Sequence, residues 1–293
     1  MTGERSTETH SRRSVLKTAA GVGAGLATAE AATNPAAAGK GGDCDPDGEP
    51  PRIDTSDHFD TTWYGSVYLT DGNTTTNYDR VGGDLPGDPD ELVVHLHGWR
   101  NGEDCGIDGI ESTGGAYGDV GYGHPVTGLT WDSAYAWWNA KEIAARNAPK
   151  LAAFLTDFKN DNPGTKIRLQ AHSLGARVLA ETVLALEADE ETDVVTTAVF
   201  MAGAIDDESV AVDGKYGEAL AAATGHVENF WKPDDSVLNW AYGAFEGSQA
   251  IGNDGCDGAS PENYTDHEVT KDIGHSDYYD DRDIIGQVVE SYE

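Results

Sequence analysis

The 293-residue sequence is short of positive charge, with 19 Lys and Arg against 52 Asp and Glu and a formal net charge of -33. A chain this acidic repels a polyanion, which excludes nucleic acid as a partner. Long apolar runs are also missing. Polar residues interrupt every hydrophobic stretch before the ~20 residues that a bilayer demands, so a soluble mature chain without a stable membrane anchor is expected. Cysteine is scarce: Cys44, Cys105 and Cys256 are the only three, and none lies in a C-x-x-C or a Cys/His cluster, so no metal site is expected. What remains, 38% hydrophobic residues over this length, suffices for one sizeable core.

The acidity carries information of its own. Asp and Glu are spread along the whole chain rather than gathered in one cation cage. At low salt such a surplus destabilises a compact state by self-repulsion, whereas molar salt shrinks the Debye length to about 3 Å and removes the penalty. We read the composition as adaptation to concentrated salt. The N-terminus fits an exported protein. Ser11-Arg12-Arg13-Ser14-Val15-Leu16-Lys17 pairs two arginines with a following apolar residue, and Ala19 to Ala32 is a weakly apolar, small-residue stretch. This resembles a twin-arginine export signal, with candidate small-x-small cleavage sites between Ala29 and Ala38. Residues 1–40 are therefore read as a signal, 41–58 as a flexible linker rich in Gly, Pro and Asp, and 59–293 as the main folded domain. The expected location is extracellular, in a salt-loving organism, and the export machinery is the expected partner during secretion. In that compartment one disulfide is expected, with three pairings open and one thiol left over.

Beyond the linker, strand-like and helix-like runs alternate. Val67 to Thr70, Glu91 to Leu96, Pro125 to Trp131, Lys166 to Gln170, Val194 to Met201 and His226 to Trp231 read as strands. Ala134 to Lys159, Ala176 to Leu186 and Ile284 to Tyr292 read as helices. Alternation of this kind implies an α/β fold with a mostly parallel central sheet, helices on both faces, and functional groups at the carboxyl ends of strands. Glu103 to Gly123 holds so many glycines that its helix is expected to be short or absent.

The most informative string is Ala171-His172-Ser173-Leu174-Gly175, between a strand-like and a helix-like run. A serine flanked two residues away on each side by small residues fits a sharp strand-to-helix turn, where strand and helix pass very close. Such a turn lifts the Ser173 hydroxyl clear of the sheet. It also aims the Leu174 backbone N–H, at a helix N-terminus, where an oxyanion would form. Downstream, Lys232-Pro233-Asp234-Asp235-Ser236 follows a strand, and Gly274-His275-Ser276 precedes the closing helix; upstream, His97-Gly98 ends a strand.

These residues, in this order, resemble the α/β-hydrolase fold over roughly residues 60–293. The strings Gly128 to Ser133, Ala140 to Ala144 and Ala171 to Arg177 also resemble secreted haloarchaeal members of that superfamily. The resemblance implies Ser173 as nucleophile, Asp235 as the acid, with Asp234 and Asp206 as rivals, and His275 as the base, with His267 also in range. It implies the backbone N–H groups of Leu174 and Trp99 as the oxyanion hole. His124, His172 and His226 precede or coincide with the wrong elements. His95 and His97 are expected on opposite sides of their strand, and so not to share an ion.

The implied chemistry is acyl transfer without cofactor or metal. An esterase or lipase acting on a small-molecule or lipid ester is the leading reading, and Trp131, Trp137, Trp138, Trp240, Tyr242 and Phe245 are candidates for an apolar acyl pocket or for core. An amidase or peptidase uses the same groups, and a binding protein that kept the fold and lost the chemistry is the reading from another class. No insertion long enough for a separate lid is visible, so interfacial activation is not expected.

Overall fold

The computed structural model describes residues 44–292; the twin-arginine-like segment and the first linker residues lie outside the described residues. The early chain forms β1 (Arg52–Asp54), β2 (Phe59–Thr61), β3 (Val67–Leu69) and β4 (Asp79–Val81). Strands and helices then alternate: β5 (Glu91–Leu96), α1 (Glu103–Asp119), β6 (Val126–Thr130), α2 (Trp137–Asp161), β7 (Lys166–His172), α3 (Gly175–Ala188) and β8 (Val195–Met201). The last part comprises α4 (Gly217–Ala223), β9 (Thr224–Trp231), α5 (Gly243–Glu246), α6 (Ile251–Asp254), β10 (Tyr264–Glu268) and α7 (Arg282–Glu290). Eight strands make one sheet in the order β10-β9-β8-β7-β5-β6-β1-β4, parallel throughout except for the antiparallel edge pair β1 and β4. β2 and β3 form a separate hairpin.

The sheet has two unlike faces, and the alternation of side chains along β5 and β7 shows why. Leu92, Val94, Leu96, Ile167, Leu169 and Ala171 are wholly buried on one side, beneath the mutually packed α2, α3 and α4. Glu91, His95, Arg168, Gln170 and His172 point to the other, which α1 and α7 cover. There Arg168 Nε donates to Glu91 Oε2 at 2.6 Å and Arg168 Nη1 to Thr197 Oγ1 at 2.8 Å. The Tyr117 hydroxyl donates to Gln170 Oε1 at 2.7 Å, and the Arg168 guanidinium lies 3.8 Å from the Tyr292 ring centre. Buried polar groups on this face are paired in part by neighbouring strands and by Thr113 and Tyr117 of α1, while His95 Nε2, Gln170 Nε2 and His172 Nδ1 have no hydrogen-bond partner.

Two expectations are corrected. Glu103 to Gly123 contains a 17-residue helix, α1, rather than a short or absent one. Its glycines lie where helix and sheet touch: a Cβ on Gly106 would come within 2.9 Å of His97 Cδ2, and one on Gly109 within 3.2 Å of His95 Nε2. Close packing there offsets the ~1 kcal/mol that each glycine costs a helix interior. Nor is the segment read as linker a free one over its described part. A disulfide ties Cys44 to Cys105 on α1, and Arg52 to Asp54 pair with β6 and β4. Buried Arg52 bonds Glu49 at 2.6 Å and Glu103 at 3.2 Å. A three-residue strand has too short a pattern to stand out from a Gly/Pro/Asp-rich sequence; its sheet neighbours specify it.

Candidate active site

Ser173 stands between the end of β7 and the start of α3 with φ +53°, a region that a serine rarely adopts. Three backbone hydrogen bonds hold it there. Its N–H donates to Met201 O at 3.1 Å, and its carbonyl accepts from Ala176 N–H at 3.0 Å and Ala204 N–H at 2.9 Å. The small residues on either side are explained by contact. A Cβ on Gly175 would fall 2.2 Å from Leu96 O, so only glycine lets α3 leave past β5. Ala171, paired with Leu96 and Phe200, is fully buried, and its methyl fits. Leu174 caps α3, in the first turn, where N–H groups have no intrahelical acceptor. The chain after β5 passes directly over the serine: a Cβ on Gly98 would sit 2.9 Å from Ser173 Cβ. This brings Trp99 beside Leu174's turn.

Asp235 and His275, expected from sequence, meet. Asp235 Oδ2 is 2.7 Å from His275 Nδ1, and Oδ1 accepts from the N–H groups of Val237 at 3.0 Å and Leu238 at 3.2 Å. Burial works to raise the Asp235 pKa, but the charge and hydrogen bond of His275 and the backbone donors outweigh it and hold the carboxyl below its usual range. An ionised Asp235 accepts, so His275 carries its proton on Nδ1. His275 Nε2 is then left buried and without a hydrogen-bond partner, the free nitrogen that a general base requires. Ser173 Oγ makes no hydrogen bond with Nε2, as is common before substrate closes a site.

The rivals are placed elsewhere. Asp234 is exposed and pairs with Lys232 at 3.1 Å. Asp206 flanks the short 3-10 turn Asp207–Val210. His267 lies on β10, bonded to Glu228 at 2.6 Å and stacked on Phe230. His124 packs on Tyr122, and His226 is exposed on β9. His95 and His97, two residues apart, share one face of the sheet rather than opposite faces, because side chains alternate with period two. They have different partners: His95 Nδ1 meets Thr113 Oγ1 at 3.2 Å, whereas His97 Nδ1 donates to Gly98 O at 3.1 Å and its Nε2 accepts the Trp131 N–H. Burial depresses both, to about 3 and about 4, so both are neutral. Among the described residues no group of three or more His, Cys, Asp or Glu could hold a metal ion.

The candidate acyl-pocket aromatics divide into three. Trp131 is core, stacked on His97 at 5.4 Å. Trp138 and Trp240 are largely exposed. Trp137, Tyr242 and Phe245 belong together, Trp137 stacking on Phe245 at 5.7 Å, and the Trp99 ring meets Trp137 edge-on at 5.2 Å. Trp99, Trp137 and Tyr242 are buried in the core, and Phe245 packs against it, so these aromatics too are core packing. Sequence reasoning passed over one residue of this site, His172. Its Nε2–H donates to the His275 carbonyl at 2.7 Å, and the two rings lie 4.8 Å apart. The signal was its place next to the serine, masked by its place at the end of a strand.

A mostly parallel sheet with a serine in a left-handed strand-to-helix turn, and a carboxylate-imidazole pair from later strand ends, defines the α/β-hydrolase fold. The chain belongs to the family described as alpha/beta hydrolase of unknown function (DUF900), whose model matches residues 78–254. That match includes Ser173 and Asp235 and stops before His275. Among solved structures the chain is similar to a lipase-esterase related protein from Clostridium acetobutylicum ATCC 824, at 10% identity over 71% of this chain and 96% of that one, TM-score 0.42. It is also similar to an esterase from Pyrobaculum calidifontis, at 13% identity over 71% and 77%, TM-score 0.41. Est1E from Butyrivibrio proteoclasticus is a third, at 14% identity over 71% and 89%, TM-score 0.42. No curated protein matches the sequence.

Proposed function

We propose that the protein is a secreted, salt-adapted serine hydrolase of carboxylic esters. One observation carries the reading: Ser173 is held at φ +53° at the end of β7, next in sequence to His172, whose ring lies 4.8 Å from that of His275, and His275 Nδ1 is 2.7 Å from Asp235. In this mechanism His275 Nε2 takes the Ser173 proton as Oγ attacks the ester carbonyl. Asp235 keeps the imidazole in the required tautomer and offsets its charge, and the N–H groups of Leu174 and Trp99 receive the oxyanion. Protonated His275 gives its proton to the leaving alcohol, and water then releases the acyl group with the same base. The chemistry calls for no cofactor or metal. The reading favours an ester over an amide because an alkoxide departs with less help than an amine. Trp99, Trp137 and Phe245 pack together as apolar core around the residue proposed to supply the second oxyanion donor. The paired arginines at Arg12 and Arg13 support export, and the net charge of -33 supports work in concentrated salt.

The test is labelling by a fluorophosphonate in multimolar KCl, together with turnover of p-nitrophenyl esters of increasing chain length. Wild type is expected to label and to turn over, and Ser173→Ala to do neither while remaining folded by circular dichroism. Equal labelling of Ser173→Ala overturns the nucleophile assignment. A folded wild type that neither labels nor turns over leaves a binding protein on a hydrolase fold.

A further inference from the structure

We infer that His172 is a positioning residue for the base: it anchors the backbone of the histidine loop to the strand that carries the nucleophile. The inference rests on the reading of Ser173 and His275 given above. His172 is the last residue of β7 and the neighbour of Ser173 in sequence, and it is 103 residues from His275, yet its Nε2 lies 2.7 Å from the His275 carbonyl oxygen. A carbonyl only accepts, so His172 is the donor and bears its proton on Nε2. The ring is buried, and burial together with the neighbouring His275 keeps it neutral. Its Nδ1 is buried and has no hydrogen-bond partner. A neutral imidazole that leaves one nitrogen unsatisfied is a poor choice of filler, and its one bond is therefore its distinguishing contribution.

The surroundings leave the ring little freedom. It packs against the His275 ring at 4.8 Å and the Tyr279 ring at 5.1 Å, and a Cβ on Gly98 would meet Nδ1 at 3.3 Å. The rest of the histidine loop is held from other sides: Lys232 Nζ donates to Ile273 O at 3.2 Å, and Asp277 Oδ2 accepts the Gly274 N–H at 2.8 Å. Asp235 orients the imidazole itself. The His172 bond differs from these in its origin, because it comes from the residue adjoining the nucleophile. The elbow thereby sets the separation between nucleophile and base directly, and the dipeptide His172-Ser173 carries both the attacking hydroxyl and the tether of the group that activates it. In well-oriented reactions a misplacement of about 1 Å costs on the order of 100-fold in rate, which is the scale on which such a tether acts.

The experiment compares His172→Phe, His172→Asn and His172→Gln with wild type on p-nitrophenyl acetate in multimolar KCl. The glutamine amide can place an N–H donor near the Nε2 position, whereas asparagine is too short and phenylalanine has no donor. The expected result is a kcat about 10- to 100-fold lower in His172→Phe and His172→Asn, with KM within about twofold, and recovery to within about fivefold of wild type in His172→Gln. A second readout needs no turnover: the downfield imidazole proton between His275 and Asp235 is expected to be sharp in wild type and His172→Gln and broadened in His172→Phe. Phenylalanine within twofold of wild type in kcat, glutamine as impaired as phenylalanine, or a downfield proton indifferent to all three substitutions overturns the inference. Failure of the hydrolase reading is separable, since wild type itself then shows no turnover while the proton resonance still reports on the tether.

Discussion

At the residue scale the site depends on which atoms are left free. Asp235 has both oxygens engaged, one by His275 and one by two backbone N–H groups, so it cannot rotate without breaking three hydrogen bonds. Asn at 235 would present an N–H to His275 Nδ1 or accept with only one oxygen, and the favoured tautomer would place a proton on the nitrogen meant to receive one. Asp235→Asn is expected to lower kcat about 10³- to 10⁴-fold, measured on p-nitrophenyl acetate with the fold monitored by circular dichroism. A loss below tenfold would mean that Asp235 does not orient the base. The carboxyl also bears on stability. Its folded-state pKa lies below the ordinary value, so its contribution is present above the usual carboxylate range and lost as pH falls through the lowered value.

At the element scale, the polar face of the sheet distinguishes this core from a purely apolar one. Glu91 at the start of β5 meets Arg168 of β7 and accepts from the Tyr122 hydroxyl at 2.6 Å. Burial works against its ionisation, but the hydrogen bonds of Arg168 and Tyr122 and the charges of Arg168 and Lys166 outweigh burial and bring its pKa from 4.5 to about 2. Because the folded value is depressed, the stabilisation is complete above pH 4.5 and disappears as pH falls toward 2. Glu91→Gln is expected to destabilise by about 2–3 kcal/mol at pH 7 in denaturant unfolding, with the gap to wild type closing between pH 4.5 and 2. A gap that does not change with pH would assign the effect to packing alone. Packing matters equally in α1, whose glycines keep it close to His95 and His97. Helix propensity argued against α1, and contact with the sheet decided for it.

At the scale of the whole molecule, charge and cross-link act together. The Cys44 to Cys105 disulfide closes a loop across a sequence separation of 61 and attaches the entering chain to α1. A loop of that size contributes about 4 kcal/mol in the chain-entropy description. The remaining thiol, Cys256, is half-buried, and burial with the charge of Asp266 pushes it up to about 11, so it stays protonated near neutrality. Against these stands the self-repulsion of a net charge of -33. If that repulsion is what salt relieves, the melting temperature rises by about 10 °C or more between 0.2 and 3 M KCl. An unchanged melting temperature over that range would refute salt adaptation as the meaning of the composition.

The sequence by itself determined what is local or ordinal. Apolar runs such as Val195 to Met201 announce buried strands, and the small residues around Ser173 announce a close strand-to-helix turn, because each constraint acts within a few residues of chain. The linear order of a serine turn, an aspartate turn after a later strand and a late histidine was equally plain, with the choice among neighbouring aspartates left open. Only the tertiary structure decided which groups meet. It paired His275 with Asp235 rather than Asp234, and Cys44 with Cys105 rather than Cys256. It also formed α1 despite its glycines, set β1 and β10 at their places in the sheet, and brought the His172 ring to the His275 backbone. Each of those outcomes is a contact between residues far apart in sequence, and periodicity along a chain holds no record of which distant residue will supply the partner.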